Sequence, residues 1–338
     1  MMVESTTATG QSPRTGTVAD SGASMASEEV VFPVELSQTG KQRIAGTVFA
    51  PPVLSGNVVA LVAVPGGTYD RSYWDLHVPG LAGYSFVEAA VARGCVILAL
   101  DNLGTGASSR PEDADKVTAA EMAEAVAHVA KAFAAGLGTG AFAGLAPQPD
   151  VRMRGVGHSL GGLILTTAQA NHRPFERIAV LGTSFVEQVV GGSYSEDGQS
   201  SPSSEEQIRL TQQMAGASWE SGYLEMPREM LRPFFHAEDV PDEVLRAEEA
   251  GVTVLPRHAA IDMYRPGLLA PVARKVEVPV FLAYSDADVS ANPAAEVAEF
   301  AGSRDVTLFR LPGSAHCHNA ATTREVLWDR LLLWVAIP

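Results

Sequence analysis

The chain is poor in cysteine, in long apolar runs and in basic residues, and each shortage narrows what it does. Two cysteines in 338 residues, Cys95 and Cys317, cannot build a disulfide framework, so a reducing cytoplasm is the expected setting. No apolar run reaches the ~18 residues of a membrane-spanning helix, and no membrane partner is expected. Lys and Arg number 24 against 39 Asp and Glu, a formal net charge of −15. Such a balance lacks the clustered basic charge that grips a phosphate backbone, which argues against a nucleic-acid partner. A solvated acidic surface that aids solubility is the plain meaning of the charge.

What is present suits one large α/β domain carrying an insertion. Apolar residues make up 46% of the chain, enough for a sizeable core. Residues 1–27 are rich in Ser, Thr, Ala and Gly, with no basic start followed by an apolar core. They read as a disordered leader and not as a secretory signal. Residues 30–36 and 43–49 read as a strand pair joined by a turn at 37–41. The continuous apolar runs 58–64 and 95–100 suit buried parallel strands, with a helix at 84–93 between them. Thr118 and Glu121 form a capping box, after which Met122, Val126, Val129 and Phe133 share one helical face. Strands follow at 151–156 and 177–181. Arg152 and Arg154 fit badly in a buried central strand and are placed toward its solvent-facing start. Alternation of this kind predicts a doubly wound, mostly parallel sheet.

From residue 186 to 275 the alternation stops. A polar stretch at 195–206 reads as a mobile loop, and 207–235 and 242–250 read as helices, so a helical cap is expected there. The α/β pattern resumes with strands at 278–284 and 306–311 and helices at 293–300 and 323–335. The expected plan is a leader at 1–27, a core at 28–185 and 276–338, and a cap at 186–275.

The most informative segment is Gly157-His158-Ser159-Leu160-Gly161, which lies between a strand and a helix. A turn this sharp lifts a serine hydroxyl above the sheet edge, and its flanking glycines let the two arms approach. A serine needs a histidine to take its proton, and that histidine needs a carboxylate to fix its tautomer. Candidate acids and bases end later strands, in Tyr284-Ser285-Asp286-Ala287-Asp288 and in Leu311-Pro312-Gly313-Ser314-Ala315-His316. Asp288 is the favoured acid, with Asp286 and Glu187 as substitutes. His316 is the favoured base, with His318 as its competitor. Capping of the helix at Pro293 is the bland alternative for Asp288. His316-Cys317-His318 has no accompanying acidic cluster at ligand spacing, so no metal is expected. The remaining histidines (77, 128, 172, 236 and 258) have no motif context. The Gly138–Gly144 stretch imitates a dinucleotide fingerprint but follows a helix, so it reads as a loop and no cofactor is expected.

With these motifs the chain resembles the α/β-hydrolase family from about residue 28 to its end. The resemblance implies an eight-stranded sheet and a cofactor-free serine hydrolase with Ser159, Asp288 and His316 as nucleophile, acid and base. Ser285 stands where the family's strand-end motif has glycine, and Pro65 where its oxyanion loop often has histidine. Oxyanion donors are then the amides of Leu160 and Gly67, with Thr68 as alternative. The family's D-x-x-G-x-G-x-S loop is matched by Asp101 to Ser108. Thr68, Tyr69, His158 and, from the cap, Trp219, Tyr223, Met230 and Phe234 are expected to touch substrate. The Pro65-Gly-Gly-Thr-Tyr-Asp70 loop and the cap are similar to those of bacterial lactonases acting on resorcylic macrolactones such as zearalenone. A bulky apolar lactone is therefore the favoured substrate, with a small-ester carboxylesterase or a perhydrolase/acyltransferase as alternatives. A non-catalytic ligand receptor has no need of all three residues. Homo-oligomerisation stays open.

Overall fold

The computed structural model describes residues 25–54, 58–142, 144–186, 188, 203–265 and 267–338. Glu187, most of the leader and the polar stretch at 195–202 therefore lie outside the described residues. An eight-stranded sheet runs in the order β1-β2-β4-β3-β5-β6-β9-β10. Its strands are β1 (Ala26–Leu36), β2 (Gly40–Ala50), β3 (Val59–Val64), β4 (Val96–Leu100), β5 (Arg152–His158), β6 (Arg177–Leu181), β9 (Val280–Ala287) and β10 (Val306–Ala315). Only β2 runs against its neighbours β1 and β4; the other pairs are parallel. The runs read as buried strands are so: Ala60 to Val64 and Val96 to Leu100 are almost wholly sequestered. Helices α1 (Phe86–Val91), α2 (Ala119–Thr139), α3 (Leu160–His172), α10 (Pro293–Glu299) and α11 (Arg324–Val335) link and cover these strands. This is the doubly wound sheet of an α/β-hydrolase fold.

Local chemistry explains several boundaries. Thr118 caps α2 by accepting from the Glu121 amide. The reciprocal half of the box is absent: the Glu121 carboxylate turns to the β1–β2 hairpin, accepting from the Gln38 and Thr39 amides and the Thr39 hydroxyl. A tertiary partner with three donors outcompetes the single local amide. The expected buried face of α2 (Met122, Val126, Val129, Phe133) is buried. The helix continues through Gly138 to a left-handed Gly140, so only the end of the Gly138–Gly144 stretch is a turn.

Arg154 corrects the sequence reading. It is 1% exposed in the middle of the sheet, not at a solvent-facing start. Its guanidinium donates to Glu176 Oε2 at 2.7 Å and to the carbonyls of Val335 (3.2 Å) and Ile337 (3.4 Å). Val335 ends α11, where carbonyls lack intrahelical donors and the helix dipole is negative, so a cation suits the position.

Between β6 and β9 the described residues form α4 (Ser204–Ala215), α5 (Ser218–Ser221), α6 (Arg228–Phe235), α7 (Asp242–Glu249), α8 (Arg257–Asp262) and α9 (Leu269–Ala273), with β7 (Tyr223–Leu224) paired to β8 (Leu255–Pro256). The single helix expected over 207–235 is thus three short ones. Positive φ at Gly216 and Gly222, then Pro227 before α6, interrupt it. Residues 204–206, expected as loop, open α4, with the Ser203 hydroxyl accepting from the Glu206 amide.

Candidate active site

Ser159, Asp288 and His316 meet at the carboxyl edge of the sheet, because parallel strands deliver their ends to one side. Ser159 follows β5 directly, with φ 54° and ψ −123°. A non-glycine residue held there costs on the order of 1–3 kcal/mol. The strain is locked in by close backbone approach. A Cβ on Gly157 would lie 2.4 Å from the Gly161 carbonyl oxygen, and one on Gly161 only 2.3 Å from that of Val64. The Ser159 amide donates to Leu181 of β6, and Gly162 and Leu163 bond back to the Ser159 carbonyl as α3 begins.

Ser159 Oγ lies 2.9 Å from His316 Nε2, and His316 Nδ1 lies 2.8 Å from Asp288 Oδ1. With Nδ1–H donating to the carboxylate, Nε2 presents its lone pair to the serine hydroxyl. Such a chain can withdraw a proton from Ser159 and stabilise the imidazolium that results. Asp288 is fully buried. Burial by itself pushes its carboxyl up, but hydrogen bonds from His316 and His318 outweigh that and hold it well below the usual carboxylate range. It also accepts from the Ser285 and Val289 amides, at 3.0 and 2.8 Å. The cap of α10 is Asn292, so the capping alternative for Asp288 does not hold.

The competing candidates fall elsewhere. Asp286 accepts from the Gly313 amide and lies near Arg310, on the exposed side. His318 does not approach Ser159 in place of His316; its Nε2 donates to the second oxygen of Asp288 at 2.8 Å, and its buried Nδ1 has no partner. The two-residue spacing of His316 and His318 was the signal for this sharing.

His158, expected to touch substrate, is buried beneath the site instead. Its Nε2–H donates to the His316 carbonyl at 2.8 Å, and its ring stacks on Tyr73 at 4.7 Å. Burial, then the neighbouring His316 and His318, push its imidazole well below the ordinary range, so it stays neutral. It supports the base loop.

Gly67 and Thr68 line the same cavity as Ser159 and His316. The first amides of α3, Leu160 among them, lack intrahelical acceptors and sit at the positive end of the helix dipole. The loop after β3 is anchored from below by Asn102, whose Nδ2 donates to the Pro65 carbonyl at 2.9 Å. Sequence reading missed Asn102, although it lies inside the Asp101–Ser108 motif. That motif is itself tied together by Asp101, which accepts from the Ala107 amide and from Arg71.

Beyond the serine the cavity wall is mostly apolar: Met214, Met226, Leu231, Phe234, Phe235, Leu255 and Met263, with Gln188, Thr211 and Tyr264 as polar exceptions. Of the expected substrate contacts, Thr68 and Phe234 line it. Tyr69 does not: it is buried, with its hydroxyl 3.2 Å from Cys317 Sγ. Trp219 packs beneath the Arg257 guanidinium. Tyr223 donates its hydroxyl to the Pro111 carbonyl. Met230 is 60% exposed, because α6 turns Leu231, Phe234 and Phe235 inward and Met230 outward. Those four cap and loop expectations are corrected by where these short elements point.

Among the described residues, one group brings three metal-ligating atoms within 4.8 Å of one another: His236, Glu248 and Cys317. His236 Nε2 lies 2.8 Å from the Glu248 carboxylate, and Cys317 Sγ lies 3.2 Å from the Tyr69 hydroxyl. Burial pushes the Cys317 thiol well up, away from the thiolate a metal takes. The set works as a hydrogen-bonded cluster.

Residues 61–327 match the family model described as "Alpha/beta hydrolase family". The chain belongs to that family. Among solved structures, this hydrolase is similar to a thermophilic esterase from Thermogutta terrifontis (TM-score 0.62, 14% identity, covering 90% of this chain and 98% of that one). It is similar also to a thermostable carboxyl esterase from Bacillus coagulans (0.63, 16%, 92% and 98%). The enol-lactonase of Burkholderia xenovorans LB400 superposes at 0.59, with 15% identity over 90% of this chain and 98% of that one. At such identities the likeness speaks to the fold alone. No curated protein matches the sequence.

Proposed function

We propose that this hydrolase cleaves a carboxylic ester or lactone through an acyl-enzyme, without a cofactor. The observation that carries the reading is the unbroken chain Ser159 Oγ–His316 Nε2 and His316 Nδ1–Asp288 Oδ1, at 2.9 and 2.8 Å, opening into an apolar cavity. His316 takes the Ser159 proton as Oγ attacks the carbonyl carbon. The amides of Leu160 and Gly67 hold the tetrahedral oxyanion, and His316 passes the proton to the leaving alkoxide. Water, deprotonated by His316, then attacks the acyl-enzyme and regenerates the serine. In a lactone the leaving alkoxide stays tethered to the acyl group, and the product is a hydroxy acid.

The methionine- and phenylalanine-lined cavity supports an apolar acyl portion. We place a bulky apolar lactone, of the resorcylic macrolactone type, at the large end of the range, and residues 186–275 as the lid that bounds it. Two buried, unpaired thiols, Cys95 and Cys317, suit a reducing cytoplasm. The test is a panel of esters and lactones of graded size, assayed with wild type and Ser159→Ala, together with labelling by a fluorophosphonate probe. Ser159→Ala is expected to lose about 10⁴- to 10⁶-fold in kcat and all labelling. Labelling that persists in the variant defeats the reading.

A further inference from the structure

One short cap helix touches both loops on which the proposed chemistry depends. At the first residue of α6, Arg228 Nη2 donates to the Thr68 carbonyl at 2.8 Å. The same carbonyl accepts from the Thr253 amide at 2.9 Å, and the Asp70 amide donates to Gly251 at 3.0 Å. The Arg228 guanidinium lies over the Tyr69 ring, 4.1 Å from its centroid. Thr68 needs this hold. It is a β-branched residue at φ 69°, a region such residues rarely occupy, and it directly follows Gly67.

At the other end of α6, the carbonyls of Phe234 and Phe235 belong to the last turn, where no intrahelical donor remains. They accept from the amides of His316 (3.3 Å) and Cys317 (2.8 Å). The Phe234 ring also stacks on the His316 imidazole, with centroids 4.8 Å apart and planes at 17°. Arg228, Leu231 and Phe234 lie three residues apart, so one helical stripe faces the site. α6 is barely two turns long and lacks one ladder bond at Pro233, yet over so short a span the helical rise sets the separation of its two ends, and with it that of the two loops.

We propose that α6 is a positioning brace: Arg228 sets the oxyanion loop, and the carboxyl end of the helix sets the loop of the base. The proposal rests on the serine-hydrolase reading above. Under it the cap bears on the rate of the chemical step as well as on the size of substrate, and Arg228 is a positioning residue that touches no reacting atom. Removing its hydrogen bond lets Thr68 relax toward unstrained backbone and carries the Gly67 amide off the oxyanion.

The experiment compares wild type, Arg228→Met, Arg228→Lys and Ser159→Ala on a short chromogenic ester, with kcat, KM, thermal unfolding and inhibition by a trifluoromethyl ketone that mimics the tetrahedral adduct. Arg228→Met is expected to lower kcat about 10- to 100-fold with KM within about threefold. Affinity for the ketone should fall by the same factor as kcat/KM, since both require the oxyanion donors. Lysine, which still donates to the Thr68 carbonyl, should restore part of the loss. A lowered melting temperature with unchanged kcat and unchanged ketone affinity in Arg228→Met means that Arg228 only holds the cap down and overturns the brace. If Arg228→Met does not fold, Arg228→Gln, too short to reach the Thr68 carbonyl, decides, a wild-type kcat together with wild-type ketone affinity again being the refuting result. Wild-type turnover that survives Ser159→Ala instead removes the hydrolase reading, and the brace with it.

Discussion

Asp288→Asn tests the electrostatics of the site more sharply than removal of the nucleophile. In the wild-type arrangement Oδ1 accepts from His316 Nδ1 and the Val289 amide, while Oδ2 accepts from His318 Nε2 and the Ser285 amide. Asparagine keeps one oxygen and replaces the other with a group that only donates. With the amide nitrogen toward His316, the imidazole proton moves to Nε2 and points at Ser159; only the Val289 amide is stranded. With it toward His318, that ring must carry its proton on Nδ1, which has no partner, and the Ser285 amide is stranded as well. The second orientation thus has one more buried unsatisfied donor, about 1–3 kcal/mol, a bias of about 5- to 150-fold toward the first. The favoured orientation is the inactive one, because Nε2 then has no lone pair to accept the serine proton. The orientation bias supplies only part of the effect; the neutral amide also no longer stabilises the imidazolium formed in the transition state, and together we expect a loss of about 10⁴-fold in kcat/KM, measured on an activated ester, in a protein whose circular dichroism is unchanged. Stability should drop by roughly 1.5–3 kcal/mol for the charge-assisted bond lost. That deficit is itself pH-dependent. A depressed carboxyl contributes stability above its unfolded pKa of about 3.9 and loses it as pH falls, so the gap between variant and wild type should narrow below about pH 4. A folded variant that keeps more than about a fifth of wild-type activity would refute the tautomer argument.

Two further expectations concern the pocket wall and the elbow. Phe234 lines the cavity and Trp219 does not, so Phe234→Ala should lower the ratio of kcat/KM for a long-chain over an acetate ester by about tenfold, at ~25 cal/mol per Å² of lost apolar contact, while Trp219→Ala leaves it unchanged; equal shifts in both variants would undo this map of the pocket. Gly161→Ala forces a Cβ to 2.3 and 2.5 Å from the Val64 and Pro65 carbonyl oxygens, and urea unfolding should show it destabilised by about 3 kcal/mol or more; Gly138→Ala within α2, whose Cβ would meet only the Gln148 carbonyl oxygen at an ordinary 3.9 Å, should instead gain up to about 1 kcal/mol.

Much of this molecule was legible in the amino-acid order, for reasons that are local. Parallel strands buried on both faces must be continuous apolar runs, so 58–64, 95–100 and 177–181 announced themselves within a residue or two of β3, β4 and β6. The elbow was legible because only glycine tolerates backbone contacts as close as those at positions 157 and 161. Strand ends in a parallel sheet share an edge, so Ser159, Asp288 and His316 converge once the strand–helix alternation is recognised.

The rest was decided by packing between segments far apart in the chain. Arg154 looks misplaced in a strand until the carbonyls at the end of α11, some 180 positions away, arrive to receive it. His158 and His318 are, by sequence, two more histidines beside two motif residues; only the folded core turns one onto the His316 carbonyl and the other onto the second carboxylate oxygen of Asp288. Between β6 and β9 the described elements are two to twelve residues long, too short for periodicity to say which side faces inward. Trp219, Tyr223 and Met230 are the kinds of residue that line pockets, yet Phe234 lines the cavity at Ser159 and they do not, because the turns at Gly216, Gly222 and Pro227 re-aim each segment separately. Local pattern determined where the chemistry-bearing residues sit along the sheet edge. Long-range contact decided which of them meet, since a side chain's partner depends on the position of backbone that its own neighbourhood does not encode.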